Sequence, residues 1–395
     1  MSTENLTNLS SVAYGGLESL RSYGSQSDCL HDQDIPELDL FSPLKIRDLI
    51  LPNRVAMSPM CQYSAENGIA NDWHFVHLGS RAAGGVGLIM VEATAVTSIG
   101  RITPGDLGLW DDAQIEPLAR IVRFVRQQGA VMGIQLAHAG RKASSNVPWL
   151  GGSPLTPEQG AWTIVAPSSI GFDDNSPVPI SLDERGIEET IIAFVQAAER
   201  ALQAGFQVIE IHAAHGYLLH SFLSPLSNQR TDIYGGSLEN RIRLLLEVTR
   251  RVRDILPQGM PLFVRISATD WVEGGWDIEQ SVILSRELKV LDVDLIDVST
   301  GGLVPQAKIP VEKGYQVPFA AKIKQSAQIN TAAVGLINNA EYANQIITRG
   351  CADLVFIGRE LLRDPYWSIH AQCSLDETPN WPVPYGYAVK RQKRK

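Results

Sequence analysis

The chain has 395 residues, 44% hydrophobic and 19% charged, and 34 Lys+Arg against 43 Asp+Glu give a formal net charge of -9. An acidic chain without a basic face is poorly suited to sequence-independent nucleic-acid binding. No apolar run approaches the roughly 20 residues that span a bilayer, and Met1 to Ser10 lack the charged and apolar regions of a signal peptide.

The four cysteines, Cys29, Cys61, Cys351 and Cys373, form no C-x-x-C pair. Zinc ribbons, iron–sulfur clusters and a disulfide scaffold are therefore not expected, and no metal is assigned. Scattered cysteines fit a reducing compartment, so the expectation is a cytoplasmic globular protein.

Residues 1–37 are rich in Ser, Asn, Gly and acidic side chains without sustained periodicity, and read as a flexible extension. From there short β-branched runs alternate with amphipathic stretches. Strands are predicted at 54–60, 87–96, 130–139, 208–214, 262–268, 294–300, 331–337 and 353–359. They are continuously apolar, as parallel strands buried on both faces require. Helices are predicted at 72–84, 112–128, 183–204, 237–256, 277–290, 316–327, 339–349 and 360–371, with Ser181-x-x-Glu184 as a capping box before the third. Eight strand–helix units predict a single (β/α)8 TIM barrel over 38–380, of class α/β. A tail follows at 381–395, ending in the basic run Lys390 to Lys395, read as a solvated face. The segment 141–182, after the third strand, carries many Gly, Pro and Ser with Trp149 and Trp162. Connections that long commonly form lids, and this one leaves the carboxyl end of a strand, where barrel active sites lie.

Polar residues at the strand ends should then converge. They include Cys61 and Tyr63, Ala93 and Thr94, Gln135 and His138, then His212, His215 and Tyr217, and later Arg265, Ser299, Gly301, Gly335, Gly358 and Arg359. This set holds no carboxylate pair for glycoside hydrolysis, no strand lysine for a Schiff base and no G-x-S-x-G elbow. The late glycines with Arg359 suggest an anion pocket, commonly for phosphate in barrels, against the plainer reading of tight turns. The pair His212 and His215 reads as a clamp on one substrate oxygen. Metal ligation and two structural histidines are the alternatives, the metal lacking an evident third ligand.

Several segments together carry a resemblance: Leu40-Phe41-Ser42-Pro43-Leu44, Asn53-Arg54-Val55, Ser58-Pro59-Met60-Cys61-Gln62-Tyr63 and the run from Gln135 to Lys142. His212-Ala213-Ala214-His215-Gly216-Tyr217, Phe222 to Asn228, Tyr234 to Arg241 and Phe356 to Pro365 complete it. Through them the chain resembles the Old Yellow Enzyme family of flavin-dependent ene-reductases, in its thermophilic-like branch, over nearly all of 38–375. The resemblance implies FMN, with NADPH or NADH as co-substrate, and electron-poor alkenes as acceptors. It implies Ser58, Pro59, Met60, Cys61 and Ala93 along the ring, Gln135 and Arg265 at the pyrimidine edge, and Ser299, Gly301, Gly335, Gly358 and Arg359 among the FMN contacts. His212 and His215 would bind the substrate's activating oxygen, Tyr217 would give the proton, Cys61 would tune the flavin potential and Tyr63 would hold the substrate. It also implies a homo-oligomer, dimer or tetramer. Some relatives end in an Arg that enters a neighbouring subunit's site. This chain ends in Trp381-Pro382-Val383-Pro384-Tyr385-Gly386-Tyr387 with no Arg in register, so Tyr385 or Tyr387 is the candidate replacement. Fe–S-containing relatives, a phosphate-binding lyase or isomerase, and a non-catalytic flavin carrier are the competing readings.

Overall fold

A computed structural model describes residues 38–389; the expected extension 1–37 and the basic run from Lys390 lie outside these. The expected barrel is present. Its strands are β3 (Val55–Met57), β4 (Leu88–Ala95), β5 (Val131–Ala137), β8 (Val208–Ala213), β9 (Leu262–Ser267), β10 (Leu295–Ser299), β11 (Asn330–Ala333) and β12 (Leu354–Ile357). They close in that order, every pairing parallel and β12 returning to β3. Among the described residues, no helix is long and apolar enough to cross a membrane.

The surrounding helices follow from sequence. In Glu184–Ala204, Ile187, Ile191, Phe194, Ala197, Ala198 and Ala201 are buried along one face. Asp183 caps the start by accepting from Gly186 N, and Gly205 at φ 88 ends the helix. That corrects the predicted capping box. Ser181 belongs to β7 (Ile180–Ser181), which pairs with β6 (Val165–Ala166), and its hydroxyl donates to Pro167 O. The predicted helix over 360–371 is two helices, Arg359–Arg363 and Trp367–Ser374. Asp364-Pro365 separates them, because proline disfavours helical geometry in the residue before it.

A hairpin of β1 (Leu44–Ile46) and β2 (Leu49–Leu51) precedes the barrel. Leu44, Ile46 and Leu51 pack with Ala56, Leu88, Met90, Val131, Val208, Phe263, Leu295, Ala332, Leu354 and Phe356. These lie at or near the strand starts, so the hairpin plugs the amino-terminal end.

Side chains alternate across a strand. Stepping two residues from this apolar layer therefore gives the next inward-facing layer: Ser58, Gln135 two steps on, Glu210, Arg265 and Asp297. On β4 the register shifts between Val91 and Ala93, so Ala93, not Glu92, pairs with Gln135. The bulge turns Glu92 outward to His74, whose Nε2 lies 3.4 Å from Glu92 Oε1. The barrel is thus apolar below and polar above, and the polar level faces the carboxyl ends of the strands.

Candidate active site

Two turns at the carboxyl end and the polar interior beneath them build the site. The first follows β8. His212 is the buried penultimate residue of the strand, and the chain turns at His215, whose φ is 59. A non-glycine residue in that left-handed region needs support from its surroundings. His215 N donates to Ser267 Oγ at 2.9 Å, and Lys142 Nζ donates to both His215 O and Gly302 O at 2.9 Å. Gly302 lies so close that an added Cβ would sit 2.7 Å from the His215 Cα. The three side chains then converge: the His212 ring centroid is 5.1 Å from that of His215 and 5.1 Å from that of Tyr217, both edge-on.

The hydrogen bonds set the imidazole tautomers. Ala214 N can only donate, and it donates to His212 Nδ1 at 3.3 Å, so His212 carries its proton on Nε2. That nitrogen lies 3.4 Å from His215 Nδ1, and His215 Nε2 lies 2.7 Å from Ser299 Oγ. Burial, reinforced by the Arg265 charge, holds both histidines well below the usual imidazole range. They are neutral donors at physiological pH. Burial likewise pushes the Tyr217 phenol well above its usual value, with lesser contributions from Cys61, Tyr63 and Asp106. Tyr217 keeps its proton and is a donor, not a base.

The second turn follows β3. Ser58 N donates to Ile357 O at 3.0 Å, and Ser58 Oγ accepts from Arg265 Nη1 at 3.3 Å. Cys61 is a half-buried free thiol, raised well above the usual range by burial and then by Asp106 and Glu92. Tyr63, at φ 51, is raised by burial and then by Cys61, and its ring meets Trp149 of the 141–182 segment edge-on at 5.9 Å. A small cavity of about 10 Å³, roughly one water, lies beside the first turn, lined by Ala93, Asp106 and Tyr217 among others.

The third region is the polar interior. Gln135 Nε2 donates to Glu210 Oε1 at 2.8 Å, and Arg265 Nε lies 3.2 Å from Asp297 Oδ2. Sequence reasoning missed Glu210 and Asp297 and took carboxylates near the strand ends to be few; the two are wholly buried in β8 and β10. Parity was the available signal, since Val208-Glu210-His212 and Leu295-Asp297-Ser299 share faces. Lys142, in a motif noted for the resemblance, was given no role, although it spans the His215 and Gly302 carbonyls and lies 4.6 Å from the Phe172 ring centroid.

Ser299 and Gly301 join the histidine side: Ser267 Oγ, which accepts from His215 N, donates to Gly301 O at 2.8 Å. Gly335 and Gly358 follow the neighbouring strands β11 and β12. A Cβ on Gly358 would lie 3.8 Å from Met60 Sδ, which places this glycine beside the Ser58–Met60 turn. Arg359 is exposed at the start of its short helix. Tyr385 is within 3.5 Å of the Tyr366 hydroxyl, and Tyr387 is exposed. Among the described residues no group of three or more His, Cys, Asp or Glu is placed to hold a metal ion. Cys351 is disulfide-bonded.

A closed parallel barrel whose polar mouth carries neutral imidazoles, a phenol, an amide and a guanidinium defines a flavin-type oxidoreductase barrel. The interior fits a flavin's polar edge: among the described residues, Arg265 Nη2 makes no hydrogen bond and the Gln135 amide oxygen accepts none. The chain belongs to the NADH:flavin oxidoreductase / NADH oxidase family, which it matches over residues 39–377. It is an NAD(P)H-dependent FMN oxidoreductase. It is 49% identical to the NADPH dehydrogenase of Listeria innocua over 353 residues, 89% of this chain and 99% of that protein. It is also 49% identical to the NADPH dehydrogenase of Bacillus subtilis, across 88% of this chain and 98% of that one. Among solved structures it is similar to morphinone reductase, with a TM-score of 0.72 and 27% identity, covering 90% of this chain and 94% of that one. A further structure of morphinone reductase is in complex with tetrahydroNAD.

Proposed function

We propose that this enzyme reduces the activated C=C bond of α,β-unsaturated carbonyls and related electron-poor alkenes at the expense of NADPH or NADH. The convergence of Tyr217 with His212 and His215 at the barrel mouth carries the reading. When bound, FMN passes hydride equivalents from the nicotinamide to the alkene. The protein's own residues do the rest. Gln135 and Arg265 hold the pyrimidine edge from the polar interior, and the positive charge favours the reduced cofactor. Gly335, Gly358 and Arg359 receive the phosphate, while Ser58, Pro59, Met60 and Ala93 flank the ring.

His212 donates to the substrate's carbonyl oxygen from Nε2–H, and His215 donates from Nδ1–H in the tautomer whose Nε2 accepts from Ser299 Oγ. His212 Nε2–H points toward His215 Nδ1 at a long 3.4 Å, a contact weak enough for a carbonyl oxygen to replace. Donation to that oxygen drains electron density from the β-carbon. Tyr217 supplies the proton to the α-carbon; its raised pKa keeps the phenol loaded across the physiological range. Tyr63 orders the acceptor, Cys61 adjusts the cofactor's potential as a neutral thiol, and the 141–182 segment covers the mouth through Trp149 and Phe172.

Replacing both His212 and His215 by Ala tests the assignment. The FMN content should be retained, while KM for 2-cyclohexenone rises and turnover falls. Enone turnover unchanged from the wild type would remove the clamp from the mechanism.

A further inference from the structure

Beneath the mouth lies a buried ionisable cluster that the proposed chemistry leaves unused. Glu210, Arg265 and Asp297 occupy β8, β9 and β10 at 0, 5 and 0% exposure. Arg265 is the register partner of His212 on one side and of Asp297 on the other. Glu210 receives one hydrogen bond, from Gln135 on β5, and its Oε2 meets no protein donor. Asp297 lies beside the Arg265 guanidinium, yet neither of its oxygens accepts a well-formed hydrogen bond from a described residue.

The groups facing this pair are few. Arg265 is the cation from β9. Gln135 from β5 and Ser58 from β3 are uncharged, and His212, two residues along β8 from Glu210, is held neutral by burial. Below lie the apolar side chains of Val208, Phe263 and Leu295. Two carboxyls therefore share one guanidinium in a low-dielectric layer. Full ionisation would leave a net buried negative charge, an arrangement that two carboxyls coupled across a single cation avoid by retaining a proton. Burial raises both carboxyls, and repulsion from Asp297 raises Glu210 further.

We propose that Glu210 and Asp297, on either side of Arg265, form a charge-coupled carboxyl pair that retains one proton, and that its protonation follows the redox state of the bound flavin. This rests on the reading that Gln135 and Arg265 face the pyrimidine edge. Two electrons and a proton arrive from NAD(P)H as hydride, and the cofactor gains negative charge over Arg265. The guanidinium is then shared with another anion and stabilises Asp297 less. The pair responds by binding one proton from solvent, forming a single carboxyl O–H bond and breaking one O–H bond of hydronium or water. On reoxidation the proton returns to solvent. The pair is a positioning and charge-compensating device: it touches Gln135 and Arg265, not the reacting carbons, and its titration is a property of the pair.

Two measurements on the FMN-loaded, full-length enzyme test this. The first is the midpoint potential of bound FMN against pH, read with reference dyes between pH 5.5 and 9. The wild type should show a stretch in which the slope approaches twice the one-proton value. Glu210→Gln and Asp297→Asn should each shorten or abolish that stretch. The second is a reduced-minus-oxidised infrared difference spectrum of the wild type, which needs no variant to fold. It should contain a protonated-carboxyl band that grows on reduction and shifts in D2O. A uniform one-proton slope in the wild type with no carboxyl band would overturn the proposal while leaving FMN binding intact. Failure of the underlying reading looks different: Gln135→Ala and Arg265→Ala would then leave the affinity for FMN unchanged.

Discussion

Asp270 supports the catalytic turn from behind, and replacing it by Asn should damage the fold despite the identical shape. Asp270 and His220 are both wholly buried, with His220 Nε2 3.0 Å from Asp270 Oδ1. The other carboxylate oxygen accepts from Ser224 Oγ at 2.6 Å and Trp276 N at 2.7 Å. On the far side of the ring, Gly216 N donates to His220 Nδ1 at 2.8 Å, which fixes the proton of a neutral His220 on Nε2. Gly216 sits between His215 and Tyr217, so this chain anchors the turn that carries both. An Asn at 270 must aim its NH2 either at His220 Nε2–H or at the Trp276 N–H and Ser224 hydroxyl, and both orientations oppose donors. The unmatched donor costs about 1–3 kcal/mol. Asp270→Ala leaves Ser224, Trp276 and His220 without their acceptor and should cost about 3 kcal/mol or more, at about 1–3 for each unmatched donor. Burial alone would raise the Asp270 carboxyl, but hydrogen bonds from His220, Ser224 and Trp276 N hold it below its ordinary value. Its stabilisation is therefore present above the ordinary carboxyl pKa and is lost as pH falls through the depressed one. The gap between wild type and Asp270→Asn should accordingly narrow in acid. Urea unfolding at fixed FMN concentration, followed by tryptophan fluorescence at pH 7 and pH 3, measures this. An Asp270→Asn protein within about 0.5 kcal/mol of wild type at pH 7, below the expected hydrogen-bond cost, would refute the reasoning.

Tyr217→Phe should lower enone turnover by about 10²–10⁴-fold while leaving NADPH-dependent reduction of the bound FMN at its wild-type rate, as stopped-flow absorbance would show. Gly216→Ala should destabilise the protein by about 2 kcal/mol or more, since φ is +75 and the new Cβ would lie 2.2 Å from Gly302 O; thermal unfolding checks it. Asp106, buried beside Tyr217's cavity, has its carboxyl pushed up by burial to about 7 despite hydrogen bonds from Thr103 and Ile102. A raised carboxyl pKa favours folding below the ordinary value and loses that contribution as pH climbs toward 7. Asp106→Asn should therefore flatten the decline in stability between pH 5 and pH 8, a difference of order a few kcal/mol by unfolding titrations.

The barrel was legible because parallel strands buried on both faces leave continuous apolar runs, and all eight predicted strands contain the observed ones or overlap them closely. The β1–β2 hairpin escaped because three-residue strands carry too little pattern. The helix broken at Asp364-Pro365 had a visible signal in the proline. At the site, the motif from His212 to Tyr217 was legible as chemistry, but the left-handed turn at His215 depends on Lys142, Ser267 and Gly302, distant in sequence. Glu210 and Asp297 were hidden by the run of apolar neighbours that made their strands recognisable. Glu92 has a subtler reason: only the bulge in β4 decides that Ala93 faces the interior and Glu92 faces His74. Register shifts of that kind arise from pairing with a neighbouring strand and leave no period in the local sequence.

The most direct test of the proposed function is product analysis of an anaerobic reaction of the FMN-loaded enzyme with NADPH and 2-cyclohexenone. The account predicts NADPH oxidation matched mole for mole by cyclohexanone, with the C=O retained and the C=C saturated. NADPH oxidation that proceeds only when oxygen is admitted, with no saturated ketone formed, would contradict it.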